Sequence, residues 1–135
     1  MRELKFRVWV KTNNSQQKYS GMYLVYALAP DGVTVIRSSV FSPNIFPIDD
    51  VEIMQYTGLH DKNGKEIYEG DIVKYQISDT QHSIGDVQWD NLQMRFFFSG
   101  YYHGTLDSYY IVKSEVIGNI YENPELLKNN NAKKD

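Results

Sequence analysis

The stretch Met54–Val73 constrains this chain more than any other part of it. Asn63-Gly64 sits between runs of β-forming residues, and Gly70-Asp71 follows just before Ile72-Val73. Asn-Gly flanked by such runs signals a tight hairpin, because both central residues of a type I′ turn need positive φ. The pattern therefore predicts a strand, a turn on Asn63-Gly64, a short return strand, a corner at Gly70-Asp71 and a fresh strand. The densest motif in the chain encodes backbone shape rather than a reaction.

The rest of the chain carries the same punctuation. Leu4, Phe6, Val8 and Val10 alternate with Lys5, Arg7 and Trp9, the period of a half-buried strand. Met22–Leu28 reads as a strand that turns at Ala29-Pro30-Asp31-Gly32 into Val33–Arg37. The segment Phe41–Asp50, with Pro43 and Pro47, reads as a connector. Beyond it, Val51–Tyr56, Ile72–Ile77, Gly85–Trp89, Met94–Ser99 and Glu115–Tyr121 read as strands, with Tyr109–Val112 a further candidate. Asn123-Pro124-Glu125 resembles an N-cap, a proline at the first helical position and an acidic first turn, so a short helix is expected at 124–127. The organisation expected is a small β-rich N-terminal domain at 1–50, a small barrel at 51–127 and a flexible tail at 128–135. Five short strands in the second domain are too few for a sandwich, and the glycine spacing resembles SH3-type barrels.

Charge and composition narrow the function classes. Residues 1–50 hold six Lys/Arg and four acids, whereas residues 51–127 hold five Lys/Arg and twelve acids. An acidic central module repels phosphate backbones, which are the main source of nucleic-acid affinity. The absence of cysteine excludes disulfides, thiolate nucleophiles and cysteine-ligated metals. The N-terminus has no apolar core of a secretory signal, and no apolar run approaches membrane-spanning length. A cytoplasmic protein is expected.

Candidate chemistry is sparse. Glu69 and Asp71 could pair as carboxylates, but Asp71 more simply orders the Gly70 corner by accepting backbone N–H groups. His60 and Asp61 lack a second histidine at metal-ligand spacing, and no phosphate-binding loop or nucleophile motif occurs. Catalytic, cofactor and metal sites are therefore expected to be absent. A binding surface is the better candidate: Tyr56, Tyr68, Glu69, Asp71, Trp89 and Tyr121 on the barrel, with core filling the default for Trp89. Tyr101-Tyr102 and Tyr109-Tyr110 could add aromatic contacts. Lys5, Arg7 and Lys11 form a candidate basic patch on the polar face of the first strand, suited to nucleic acid or to docking on acidic surface.

The opening Met1-Arg2-Glu3-Leu4-Lys5-Phe6-Arg7-Val8-Trp9, the Met54–Val73 motif and the ending Glu115–Leu127, with Ile117-Gly118-Asn119-Ile120-Tyr121 inside it, together resemble the YopX family of phage and prophage proteins. The resemblance implies a C-terminal SH3-type barrel behind a smaller N-terminal part, and it implies no reaction. The expectation is a phage accessory protein that binds a host or phage protein. Nucleic-acid binding in phage DNA metabolism or regulation is the alternative, and a self-assembling structural component is the second. A homo-oligomer is compatible with each.

Overall fold

The structure is a computed structural model that describes residues 3–11, 21–36, 45–100, 104–105 and 113–128. These residues are mainly β, arranged as two antiparallel sheets. They divide into two compact units, one ending at Gln55 and the other beginning at Tyr56.

The first unit is built from β1 (Phe6–Val10), β2 (Gly21–Ala29), β3 (Gly32–Ile36), β4 (Ile45–Pro47) and the first half of β5 (Val51–His60). Its strand order is β4-β3-β2-β1-β5. The alternation read in β1 sets the register: Val8 faces Tyr23 and Ile53, while Val10 faces Gly21 and Val51. Val8, Val10, Val33, Val35, Phe46 and Val51 form one buried cluster, and Tyr23 stacks on Phe46 with ring centroids 6.3 Å apart. The β2–β3 hairpin turns on Pro30-Asp31, and neither residue has positive φ, as a type I turn requires. One difference from the sequence reading lies at 45–50. Ile45–Pro47 is an edge strand paired with β3, followed by a 3-10 turn at Ile48–Asp50, because an edge strand tolerates a proline that lacks an N–H.

The second unit contains the rest of β5, β6 (Glu66–Tyr68), β7 (Asp71–Gln76), β8 (His82–Asp90), β9 (Arg95–Phe98), β10 (Gly104–Thr105) and β11 (Ser114–Asn119). β7, β8 and β9 form a meander, and β11 returns to pair with β7, giving the order β10-β9-β8-β7-β11. Ile67, Val73, Tyr75, Val87, Phe98 and Val116 make its core, with the Tyr75 and Phe98 rings 4.1 Å apart. Gly85 permits a close approach: a Cβ there would stand 1.6 Å from the Ser99 carbonyl oxygen. The Ser99 N–H donates to the Asp86 carbonyl at 3.0 Å, which pins that approach.

The expected closed barrel is not formed. Among the described residues β10 and β11 remain the two edges of an open sheet, since β11 pairs only with β7 and β10 only with β9. The C-terminal helix is likewise a four-residue 3-10 turn, Pro124–Leu127. Asn123 does not cap it. Its Oδ1 instead accepts the Asn119 N–H at 3.2 Å, turning the side chain back towards β11. The candidate strand Tyr109–Val112, the tyrosine pairs and residues 129–135 lie outside the described residues. No helix among those described is long and apolar enough to cross a membrane.

Candidate functional site

Two buried aspartates explain most of the Met54–Val73 motif. Asp61 Oδ1 accepts the N–H groups of Asn63 and Lys65, each at 2.9 Å, and Oδ2 accepts the Val116 N–H at 2.9 Å. The first two bonds favour a type I turn. Gly64 N–H donates to the Asp61 carbonyl at 3.0 Å, and Gly64 alone in the turn takes positive φ, at 82°. The expected type I′ geometry is therefore replaced by a type I turn with a left-handed glycine. Burial pushes the Asp61 carboxyl upward, but the N–H groups of Val116, Lys65 and Asn63 and the Lys65 charge outweigh it. The net effect holds this carboxyl below its ordinary value of 3.8.

Asp71 does the corresponding work at the corner. It is buried, and its Oδ2 accepts the Tyr68 N–H at 2.8 Å across Glu69-Gly70. Gly70 takes φ of 82° there; its N–H donates to the Val87 carbonyl at 2.9 Å, and its carbonyl accepts from Ile120 N–H at 2.9 Å. Asp71 thus orders backbone, while Glu69 is half-buried on the turn. No group of three His, Asp or Glu side chains among the described residues is placed to hold a metal ion.

The tyrosines expected on a surface do not share one. Tyr56 and Tyr68 are buried, with ring centroids 5.4 Å apart. The Tyr56 hydroxyl lies 3.4 Å from the His60 ring nitrogens, and the Tyr68 hydroxyl donates to Glu66 Oε1 at 3.3 Å. Tyr121 is half-buried in a turn organised by Asn119, whose Oδ1 accepts the Tyr121 N–H at 3.0 Å and the Glu122 N–H at 2.9 Å. The basic patch is also engaged. Lys5 pairs with Glu3 at 2.9 Å, while Lys11 donates to the Asp49 carbonyl at 3.0 Å and pairs with Glu52 at 3.4 Å. Arg7 is half-buried, with its Nε shielded from solvent.

Trp89 departs from its expected place in the core. Val87 is buried opposite Phe98, but Trp89 lies two residues further along β8, where the core has ended. The residue is 38% exposed, and its ring meets Phe96 edge-on with centroids 4.9 Å apart. Beyond it the hairpin tip presents two apolar side chains next to the polar Asn91 and Gln93: Leu92 is 95% exposed and Met94 71%. Asp90 Oδ1 holds the tip by accepting the N–H groups of Leu92 at 2.9 Å and Gln93 at 3.2 Å. Met94 is the one described residue other than glycine with positive φ, at 55°. Such a conformation costs an L-residue about 1–2 kcal/mol and is ordinarily left to Gly or Asn. The sequence signals a turn at Asp90-Asn91, but Met94 gives no warning of left-handed backbone, so this tip was not legible as a site.

Comparison with known proteins comes down to family and fold. The model of the YopX protein family matches residues 5–128, and the chain belongs to that family. It is similar to protein EF1440 from Enterococcus faecalis, a crystal structure, at 28% sequence identity and a TM-score of 0.68, over 95% of this chain and 100% of that one. No curated protein matches the chain significantly.

Proposed function

We propose that this YopX-family chain is a non-catalytic accessory protein of a phage or prophage, acting in the bacterial cytoplasm by binding another protein. The observation that carries this reading is the β8–β9 tip, where Leu92 and Met94 stand in solvent beside Trp89 and Met94 is held in a left-handed conformation. Strain at a tip with two exposed apolar side chains, where a glycine would relieve it, supports a contact role for that tip. Residues 51–127 hold five Lys/Arg against twelve acids, which favours a partner with an apolar pocket and a basic rim, steered by charge. The β7–β8–β9 meander with β11 beside β7 supports an SH3-like ancestry for the second unit, left open at its edges. The pairing of Lys5 and Lys11 with acids and carbonyls of their own unit weighs against direct nucleic-acid binding through that strand.

The test is nuclease-treated affinity capture from phage-carrying cells with the wild type, Leu92→Ser and Met94→Gly. One stoichiometric protein held by the wild type and lost by both folded variants is the expected result. Retention of that protein by both variants, or capture that vanishes with nuclease, overturns the reading. A second reading, self-assembly, is favoured by a different surface: Leu24, Tyr26 and Leu28 of β2 are 47%, 77% and 45% exposed. Sedimentation separates the two, since only self-assembly gives a concentration-dependent mass that Tyr26→Lys abolishes.

A further inference from the structure

The second unit also holds a concave surface that the hairpin tip does not use. It is a pocket of about 220 Å³, bounded by the β7–β8 turn, Lys62 and the start of β11. Lys62, Lys74, His82 and Lys113 line it, together with Asp79 and Glu115. Residues 51–127 contain five Lys/Arg and twelve acids, yet three of those cations and only two of those acids face this one pocket. The sign of the local charge is inverted within an acidic segment.

The strand register accounts for the convergence. β7 lies between β8 and β11, so Lys74 stands opposite both Ile84 and Glu115, and Gln76 stands opposite His82. Lys62 is brought to the same face because its N–H donates to the Ser114 carbonyl at 3.0 Å, beside the bond from Val116 N–H to Asp61. Glu115, although opposite Lys74, makes its ion pair with Lys62 at 3.7 Å. That leaves the exposed Lys74 ammonium with no ion pair among the described residues. The N–H groups of Thr80 and Gln81 turn inward to the Ser78 hydroxyl, so side-chain cations rather than loop amides supply the attraction.

We propose that this pocket binds a phosphate-sized dianion, either free phosphate or a phosphate monoester. Its volume lies below the roughly 300–1,000 Å³ of sites for drug-sized ligands, which suits a compact charged group. Lysine ammoniums are point charges with rotatable donors, able to converge on such a group without a preformed fork.

The test is a titration of the 15N-labelled full chain, following amide resonances, with inorganic phosphate and with sodium chloride at matched ionic strength. Saturable shifts confined to residues such as Gln76, Gln81 and His82, absent with chloride, are expected. Lys74→Gln and Lys113→Gln should each weaken phosphate binding about tenfold, the effect of one charge-assisted hydrogen bond. Lys65→Gln, outside the pocket, should leave it unchanged. A nucleoside monophosphate that binds more tightly than phosphate, where the nucleoside alone does not bind, assigns the site to esters; equal affinity assigns it to free phosphate. Shifts reproduced by chloride, shifts that never saturate, or equal losses in Lys74→Gln and Lys65→Gln overturn the proposal. The wild-type comparison of phosphate with chloride decides the matter even if a variant fails to fold.

Discussion

Asp61 offers the sharpest test of how this fold is held. Replacing it with alanine removes an acceptor from three N–H groups at once. Asn63 and Lys65 are exposed, so their N–H groups regain water and the net loss is about 0.5–1 kcal/mol each. The Val116 N–H lies in a buried part of β11 and stays unsatisfied, at a cost of about 1–3 kcal/mol. Relief of the carboxylate's own desolvation offsets part of this, leaving an expected destabilisation of about 2–4 kcal/mol. Asp61→Asn keeps one oxygen for the turn but points its NH2 at the Val116 N–H, so it should cost nearly as much. The pH dependence has a definite sign. The folded carboxyl lies below its ordinary 3.8, so the unfolded chain takes up the proton first. The contribution of Asp61 is full above that ordinary value and is lost as pH falls through the folded one. Urea unfolding in a Trp9→Phe background, followed by the fluorescence of Trp89 in the second unit, measures this. The stability gap between the chain that keeps Asp61 and its Asp61→Asn variant should be widest at neutral pH and shrink as pH falls below the ordinary 3.8. A cost under about 0.5 kcal/mol for Asp61→Ala, or a gap that does not change with pH, would refute the assignment.

Two other substitutions test the second unit, alongside the hairpin-tip and phosphate experiments. Gly85→Ala would place a Cβ 1.6 Å from the Ser99 carbonyl oxygen and 2.4 Å from its carbon, both backbone atoms of the residue whose N–H is bonded to the Asp86 carbonyl. A loss of more than about 3 kcal/mol is expected, seen as absent Trp89 unfolding cooperativity while the β1–β4 amides stay protected from hydrogen exchange. Asp71→Ala leaves the buried Tyr68 N–H without its acceptor and should cost about 2 kcal/mol by urea unfolding. Met94→Gly should instead raise stability by about 0.5–1 kcal/mol, and a lower thermal midpoint would remove the strain argument for the tip.

What was legible in the sequence was what local chemistry decides. Alternation in β1 put Val8 and Val10 inside, and Pro30-Asp31 made the β2–β3 hairpin, because strand period and turn preference act over a few residues. Asp71 was readable as a turn-ordering group for the same reason. Features that depend on distant residues were not legible. The third acceptor contact of Asp61 is with Val116, fifty-five residues on, and no local pattern announces it. The exposure of Trp89 depends on where the core between β8 and β9 ends, and alternation alone cannot place that limit. The pocket needs Lys62, Lys74 and Lys113 together, and they are neighbours only through the β7–β11 register and the Asp61 bond to β11.

The same distinction explains why the family motif is informative about fold and silent about activity. Its recognisable runs contain Asp61, Gly64, Gly70, Asp71, Gly118, Asn119 and Asn123, and each of these shapes or caps backbone. Gly118, for example, leaves room where a Cβ would come within 2.5 Å of Asn123 Oδ1. The exposed tip and, of the pocket's lining, Lys74, His82 and Lys113 lie outside those runs. A scaffold specified by buried turn chemistry leaves the β8–β9 tip and the pocket rim open to substitution at little cost in stability. Relatives that share the motif should therefore share this architecture while differing in residues at positions 92, 94, 74 and 113. Exchanging the tip between two such proteins should exchange their captured partner and leave their unfolding midpoints within about 1 kcal/mol, whereas exchanging the Asp61 turn should alter stability and leave the partner unchanged.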